Sequence, residues 1–294
     1  MAATRTSLTS STLVDHIERV DLRVRDIGAS LAFYRDVVGL EVAERSETRA
    51  ALRAPDGPVI LTLDSEGVTA PAERRATGLF HVAIRLPTRP ALGDALARLA
   101  SAGMGIGAGD HLVSEALYID DPDGNGVELY RDRPEDQWPE PQGDMIVPMA
   151  TLPVDLEAVL AEGRGQDAVG QPAAEGTDIG HVHLQVSDVG ETTRFYVEVL
   201  GLDLIARMGA QAGFFSSNGY HHHVGANTWN SRHGSPAGKE HAGLERVLFA
   251  VSGSSELETL QLRLAEYGHQ AEERDGELVV ADPDQIELRF TAKA

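Results

Sequence analysis

Three residues of this chain, His81, His181 and Glu128, could share one metal ion. Two imidazole nitrogens and one carboxylate oxygen suit a divalent transition metal and leave coordination positions open. That set fits non-haem Fe(II), and Mn(II) accepts the same ligands. The chain has no cysteine. Disulfides, zinc–thiolate sites, iron–sulfur clusters and a thiol nucleophile are therefore excluded. A lone His at a strand end is ordinarily a surface residue or a satisfied core residue. Here, His81 and His181 open equivalent strands of a repeat, which argues against coincidence.

The repeat is what would position them. Residues 19–40 read RVDLRVRDIGASLAFYRDVVGL, and residues 181–202 read HVHLQVSDVGETTRFYVEVLGL. Roughly half the positions are identical, without a gap. Alternating Val20, Leu22 and Val24, matched by Val182, Leu184 and Val186, predict a strand in each. Asp26 and Asp188 then stand where a helix N-cap belongs. The amphipathic helix that follows stops at Gly39 or Gly201. Phe33-Tyr34 and Phe195-Tyr196, at helical spacing, read as core rather than as a cofactor box.

A weaker repeat covers residues 78–103 and 243–268. It predicts strands at 81–86 and 247–251 and helices at 90–102 and 255–267. Each leads to an Asp-Pro-Asp turn, at 121–123 and 282–284, before a closing strand. The chain thus reads as α+β, with four units of strand, helix and three strands. The units form two domains, residues 16–134 and 179–294. The linker, residues 135–178, is rich in Pro, Gly, Ala and Gln and has a short helix near 154–162. It is longer than ordinary connections.

The units differ in what they carry. The first unit has Arg19 where the third has His181. The fourth has Arg246 where the second has His81. Glu128 and Glu287 close the second and fourth units. Arginine at both His-equivalent positions argues against a second metal. A further cluster, His221-His222-His223, follows Tyr220. On a strand His222 would face away from its neighbours, so at most two of the three line one cavity. His222 or a neighbour is a candidate acid/base. His183 shares the face of His181 and either lines the same pocket or packs. His111 and Tyr118 precede Glu128 in the second unit. His16, His233, His241 and His269 receive no role.

Composition narrows the partners. Across 294 residues, 25 Lys and Arg face 46 Asp and Glu, a formal net charge of −21. Such a chain repels phosphate backbones and anionic membranes. Only 5% of residues are aromatic, which excludes an extended stacking surface for single strands. No run approaches the ~18 apolar residues of a membrane span, and no apolar signal-peptide core is visible. The expectation is a cytoplasmic protein with neither nucleic-acid nor membrane partners.

These residues together resemble the vicinal-oxygen-chelate (glyoxalase, bleomycin-resistance and extradiol dioxygenase) superfamily. Within it the chain is similar to the two-domain catechol 2,3-dioxygenases over about residues 16–134 and 179–291. The most specific match is residues 111–128, HLVSEALYIDDPDGNGVE. It carries the signature's His, apolar-Tyr pair, acidic-Pro-x-Gly turn and closing Glu, with Ala108 where the signature begins with Gly. Residues 218–223, NGYHHH, resemble the segment bearing the family's catalytic His.

The resemblance implies two glyoxalase-like domains with concave, partly closed sheets. It implies His81, Glu128 and His181 as ligands of Fe(II) or Mn(II), and His222 as acid/base. It implies His111 and Tyr118 as groups that hydrogen-bond substrate or intermediates. His183, Asn227 and Trp229 would border the ring. The implied substrates are a small aromatic diol and O2, and a homo-oligomer, a dimer or higher, is expected. Rival implied activities are a glyoxalase-type metal-dependent lyase or isomerase, a hydroquinone-cleaving dioxygenase and a non-enzymatic drug-binding protein. One departure stands out. The better-known two-domain enzymes draw all ligands from the third and fourth units. Here the second and third units must supply them, within one chain or across subunits.

Overall fold

A computed structural model describes residues 9–293. The first unit comprises β1 (Val14–Arg23), α1 (Ile27–Ala32), β2 (Glu41–Arg45), β3 (Arg49–Arg53) and β4 (Val59–Asp64). The second comprises β5 (Gly78–Arg85), α2 (Arg89–Ser101), β6 (Gly107–Asp110), β7 (Ser114–Asp120) and β8 (Gly126–Asp132). After α3 (Leu156–Glu162) comes the third: β9 (Asp178–Gln185), α4 (Val189–Arg194), β10 (Asp203–Met208), β11 (Ala212–Ser216) and β12 (Val224–Asn227). The fourth is β13 (Gly243–Val251), α5 (Ser254–Glu266), β14 (Glu272–Arg274), β15 (Glu277–Ala281) and β16 (Glu287–Ala292). The strand–helix–three-strand pattern thus recurs four times, as the sequence periodicity predicts.

Local chemistry explains the helix ends. The carboxylates of Asp26 and Asp188 accept from the backbone N–H of Ala29 and Glu191, satisfying donors a helix start leaves free. Thr88 does the same for α2, with Pro90 in its first turn. α1 and α4 each run into a wider π-helical turn, Phe33–Val38 and Phe195–Leu200. Both turns end on left-handed glycines, Gly39 (φ 98°) and Gly201 (φ 89°).

Within every unit the first strand pairs parallel with the last. The last three strands form an antiparallel ladder, in the first unit β2–β3–β4. Between units, the sheets join across the sequence halves. β5 runs antiparallel to β9, and β1 antiparallel to β13. One ladder pair, Ile17 opposite Ile179, links β1 to β9 and makes the sheet continuous. Helix residues such as Leu31, Leu92 and Leu260 share one buried core with strand residues Val20, Val82, Val182 and Val247.

The other faces join consecutive units instead. In each Asp-Pro-Asp turn the first Asp accepts two backbone N–H groups, those of Asp123 and Asn125 for Asp121 and of Asp284 and Ile286 for Asp282. Each then takes a buried tyrosine hydroxyl from the preceding unit: Tyr34 on Asp121 at 3.1 Å and Tyr196 on Asp282 at 3.3 Å. Arg98 of α2 and Arg263 of α5 reach back to the carbonyls ending the earlier helix, Val38 and Val199 among them. The Phe-Tyr pairs are core, as expected, but their hydroxyls also clamp one unit to the next.

The linker is ordered against this frame. Gly93 and Gly163 let α2 and the end of α3 meet backbone to backbone. Leu152 and Asp110 exchange both backbone hydrogen bonds, tying the linker to β6. No helix among the described residues is long and apolar enough to cross a membrane.

Tyr34→Phe removes one buried hydrogen bond and leaves Asp121 its backbone donors. It is expected to lower unfolding free energy by about 1 kcal/mol. Urea denaturation followed by circular dichroism checks this, and an unchanged midpoint would show that the clamp contributes nothing.

Candidate metal centre and its cavity

The β5–β9 pairing assembles the site. His81 lies opposite His183 and, two residues on in regular antiparallel register, Ala83 lies opposite His181. β8, parallel to β5 on its other edge, sets Glu128 beside Ala83. His81 Nε2 is 2.8 Å from Glu128 Oε2, and His181 Nε2 is 3.1 Å from the same oxygen. One donor atom from each residue lies within 4.8 Å of the others. Glu128 is only 2% exposed.

Burial works to raise the Glu128 pKa, but the two imidazoles outweigh it and hold the carboxyl well below its usual range. Burial also pushes His181 down to about 4 and His183 and His222 well below 6.5. Neutral imidazole is the form that binds a metal. His81 Nε2 faces the carboxylate, yet it is buried without a properly directed hydrogen bond. Two imidazole nitrogens converging on one carboxylate oxygen, one of them orphaned, form a cradle that a divalent cation completes. The nitrogen and oxygen donors match a transition metal.

Around this point lies a cavity of about 540 Å³. Phe80, His183 and Trp229 meet edge to face or tilted, with ring centroids 5.2–5.6 Å apart. Trp229 is 44% exposed and stands at the rim. The His222 ring is 4.1 Å from that of His181 and faces the cavity. His111 Nδ1 must donate to the Ala150 carbonyl, 2.8 Å away. In a neutral ring Nε2 then accepts, so the Tyr118 hydroxyl donates to it across 2.6 Å. Burial and the nearby Glu128 carboxylate both push the Tyr118 phenol upward.

The structure thus gathers His81, Glu128, His181, His222, His111, Tyr118, His183 and Trp229 around one cavity. Asn227 is different. It is fully buried behind the wall, and its Oδ1 accepts the Trp229 N–H at 3.0 Å. β12 ends at Asn227, so strand alternation does not carry Asn227 and Trp229 to one face. The His221–His223 segment is a loop before β12, and His222 alone of the three lines the cavity. His223 instead hydrogen-bonds Ser216.

Other groups at the site are not apparent from the sequence. Phe80 and Met208 line the cavity, and linker residues Met149, Ala150 and Thr151 cover part of it. The long, compositionally odd linker was the only signal for the last three. At the related position between β1 and β13, Asp21 pairs with Arg19 and Arg246, and Glu287 with Arg246 and Arg289. Those carboxylates are neutralised by arginines.

Comparison with known proteins extends this picture. Residues 14–129 and 178–290 match the Glyoxalase/Bleomycin resistance protein/Dioxygenase superfamily. The chain is 41% identical over 271 residues to a catechol-2,3-dioxygenase of Bacillus subtilis (strain 168), covering 91% of this chain and 94% of that protein. It is 26% identical over 193 residues to a metapyrocatechase of Geobacillus stearothermophilus, covering 65% and 52%. The solved structure of glyoxalase I from Zea mays aligns over 98% of this chain and 94% of its own, with a TM-score of 0.55 and 16% identity, a likeness of fold.

Glu128→Ala and His81→Ala each remove one of three donors. Each is expected to abolish stoichiometric retention of a divalent metal after gel filtration and the rise in melting temperature that added metal gives the parent protein. Elemental analysis and thermal unfolding check this. Full metal content in either variant would remove that residue from the ligand set.

Proposed function

The chain belongs to the glyoxalase/bleomycin resistance protein/dioxygenase superfamily, and from that premise we propose an extradiol ring-cleaving activity in which O2 is inserted into a catechol-type diol at a mononuclear non-haem Fe(II). His81, Glu128 and His181 hold the iron in this reading. One observation carries it: the His-His-Glu cradle opens onto an aromatic-walled cavity that also presents His222 and the His111–Tyr118 pair. The 41% identity to a catechol-2,3-dioxygenase supports the diol as substrate class.

When bound, Fe(II) supplies electron transfer between a diol and dioxygen that do not react with each other unaided. The remaining work falls to the protein. Phe80, His183 and Trp229 hold the ring flat and keep water from it. His222, neutral and within reach of the cradle, takes a proton from the diol and returns it later at Nε2. His111 fixes the Tyr118 hydroxyl, which marks one edge of the substrate position.

The lining also selects by charge. Among the described residues that line the cavity there is no Lys or Arg, while Asp120 and Glu128 are acidic. A carboxylate on the substrate would find no lysine or arginine partner there. The preferred diols are therefore neutral ones, bare or with apolar substituents.

The test is anaerobic iron loading followed by oxygen uptake with catechol, hydroquinone and methylglyoxal plus thiol. Uptake with catechol and a yellow semialdehyde product are expected. Methylglyoxal turnover without oxygen uptake would replace the proposal with a lyase or isomerase. His222→Phe is expected to keep its iron and lose turnover. A carboxylate-bearing catechol is expected to show kcat/KM about tenfold or more below that of 4-methylcatechol, because its charge would be buried unpaired.

A further inference from the structure

Behind His222 runs a chain of polar groups that the proposed reaction does not yet use. His222 Nδ1 is 2.8 Å from Nδ1 of His221, whose side chain is fully buried. His221 Nε2 is in turn 2.8 Å from Asp132 Oδ1. Asp132 Oδ2 is occupied separately. It accepts the Tyr220 hydroxyl at 3.0 Å and lies 3.3 Å from Arg85 Nη1. Arg85 is itself anchored by both oxygens of Asp178. Glu128 and Asp132 are four residues apart on β8, so they project from the same face of one strand.

We propose that Asp132 and His221 are positioning residues that set the tautomer of His222, leaving its Nε2 as a hydrogen-bond acceptor toward the cavity. An ionised carboxylate only accepts. The Arg85 guanidinium beside Asp132 Oδ2 and the Tyr220 hydroxyl donating to it favour the ionised carboxylate. His221 Nε2 therefore carries the proton. In the one-proton form of His221 that the proposal assigns, Nδ1 is then an acceptor, and His222 Nδ1 is the donor. His222 Nε2 has no protein partner among the described residues, so its lone pair faces whatever the cavity holds. A carboxylate that orders one imidazole is a known way to fix a tautomer. Here a second imidazole extends the same logic by one link.

The inference rests on the proposed role of His222 as the group that takes a proton. The geometry also says what Asp132→Asn does. Tyr220 and Arg85 both donate to the Oδ2 side, so the amide oxygen belongs there. The amide NH2 then faces His221 Nε2, and every donor in the chain reverses. His222 would present Nε2–H to the cavity and could no longer accept.

The experiment is nitrogen-15 NMR of histidine-labelled Zn(II)-loaded protein, alongside steady-state kinetics of the iron-loaded enzyme with catechol. The wild type is expected to show His222 protonated at Nδ1, and Asp132→Asn to show it protonated at Nε2. The variant is expected to keep its iron and its KM while kcat falls about 100-fold, the size of a lost general base. His221→Gln, which breaks the chain at its middle link, is expected to lower kcat similarly with KM retained. A wild-type His222 protonated at Nε2 would overturn the proposal. So would an Asp132→Asn enzyme with unchanged tautomer or unchanged kcat. If wild-type protein fails to cleave catechol, the reading of function fails, while the NMR result still decides the tautomer chain.

Discussion

The site exists because two strands nearly a hundred residues apart lie antiparallel. β5 brings His81, β9 brings His181 and His183, and β8, bound to the other edge of β5, brings Glu128. Strand spacing then forces the side chains together, since directly opposed residues stand only ~4.5–5.5 Å apart at Cβ. The result is a carboxylate at 2% exposure faced by two imidazoles. Such a group is costly in a protein interior unless it is compensated. Compensation by a cation turns this cost into a binding site, and the surrounding cavity directs the open positions toward a ligand.

Two kinds of join hold that pairing in place, and they run in different directions. Sheets pair second unit to third and first to fourth. Helices and turns tie first to second and third to fourth, through Tyr34 on Asp121, Tyr196 on Asp282, and the arginines of α2 and α5. A slip of one strand register would carry His81 or His181 to the opposite face. The crossed joins oppose such a slip, because each unit is held on both its sheet edge and its helix side. The first and fourth units keep the architecture but carry Arg19, Asp21 and Arg246 where the other pair carries His181, His183 and His81, and with Glu287 they close the position with ion pairs.

Much of this was legible in the sequence because the unit repeats. Period-two alternation, an N-cap Asp and a terminal Gly recur in phase at residues 19–40 and 181–202, so one unit corroborates another. Comparing repeat phases also separates His81 and His181 from Arg246 and Arg19, which singles out the second and third units. What stayed hidden depends on long-range contact. Nothing local to Tyr34 announces Asp121, and nothing local to Asp132 announces His221. The linker's part in covering the cavity follows from its docking on β6 rather than from any pattern of its own. Asn227, expected at the ring, is instead buried with its amide oxygen taken up by the Trp229 backbone N–H just after β12, another contact that residue type alone does not announce.

Everything proposed for the cavity depends on His81, Glu128 and His181 binding one iron at its head. Anomalous diffraction at the iron absorption edge, from crystals of the anaerobically loaded protein, tests it most directly. A single strong peak per chain is expected, with His81 Nε2, His181 Nε2 and a Glu128 carboxylate oxygen at roughly 2.0–2.3 Å, the range for nitrogen and oxygen ligands of such metals. A peak elsewhere, or density joining Glu128 to the two imidazoles with no metal between them, would contradict it.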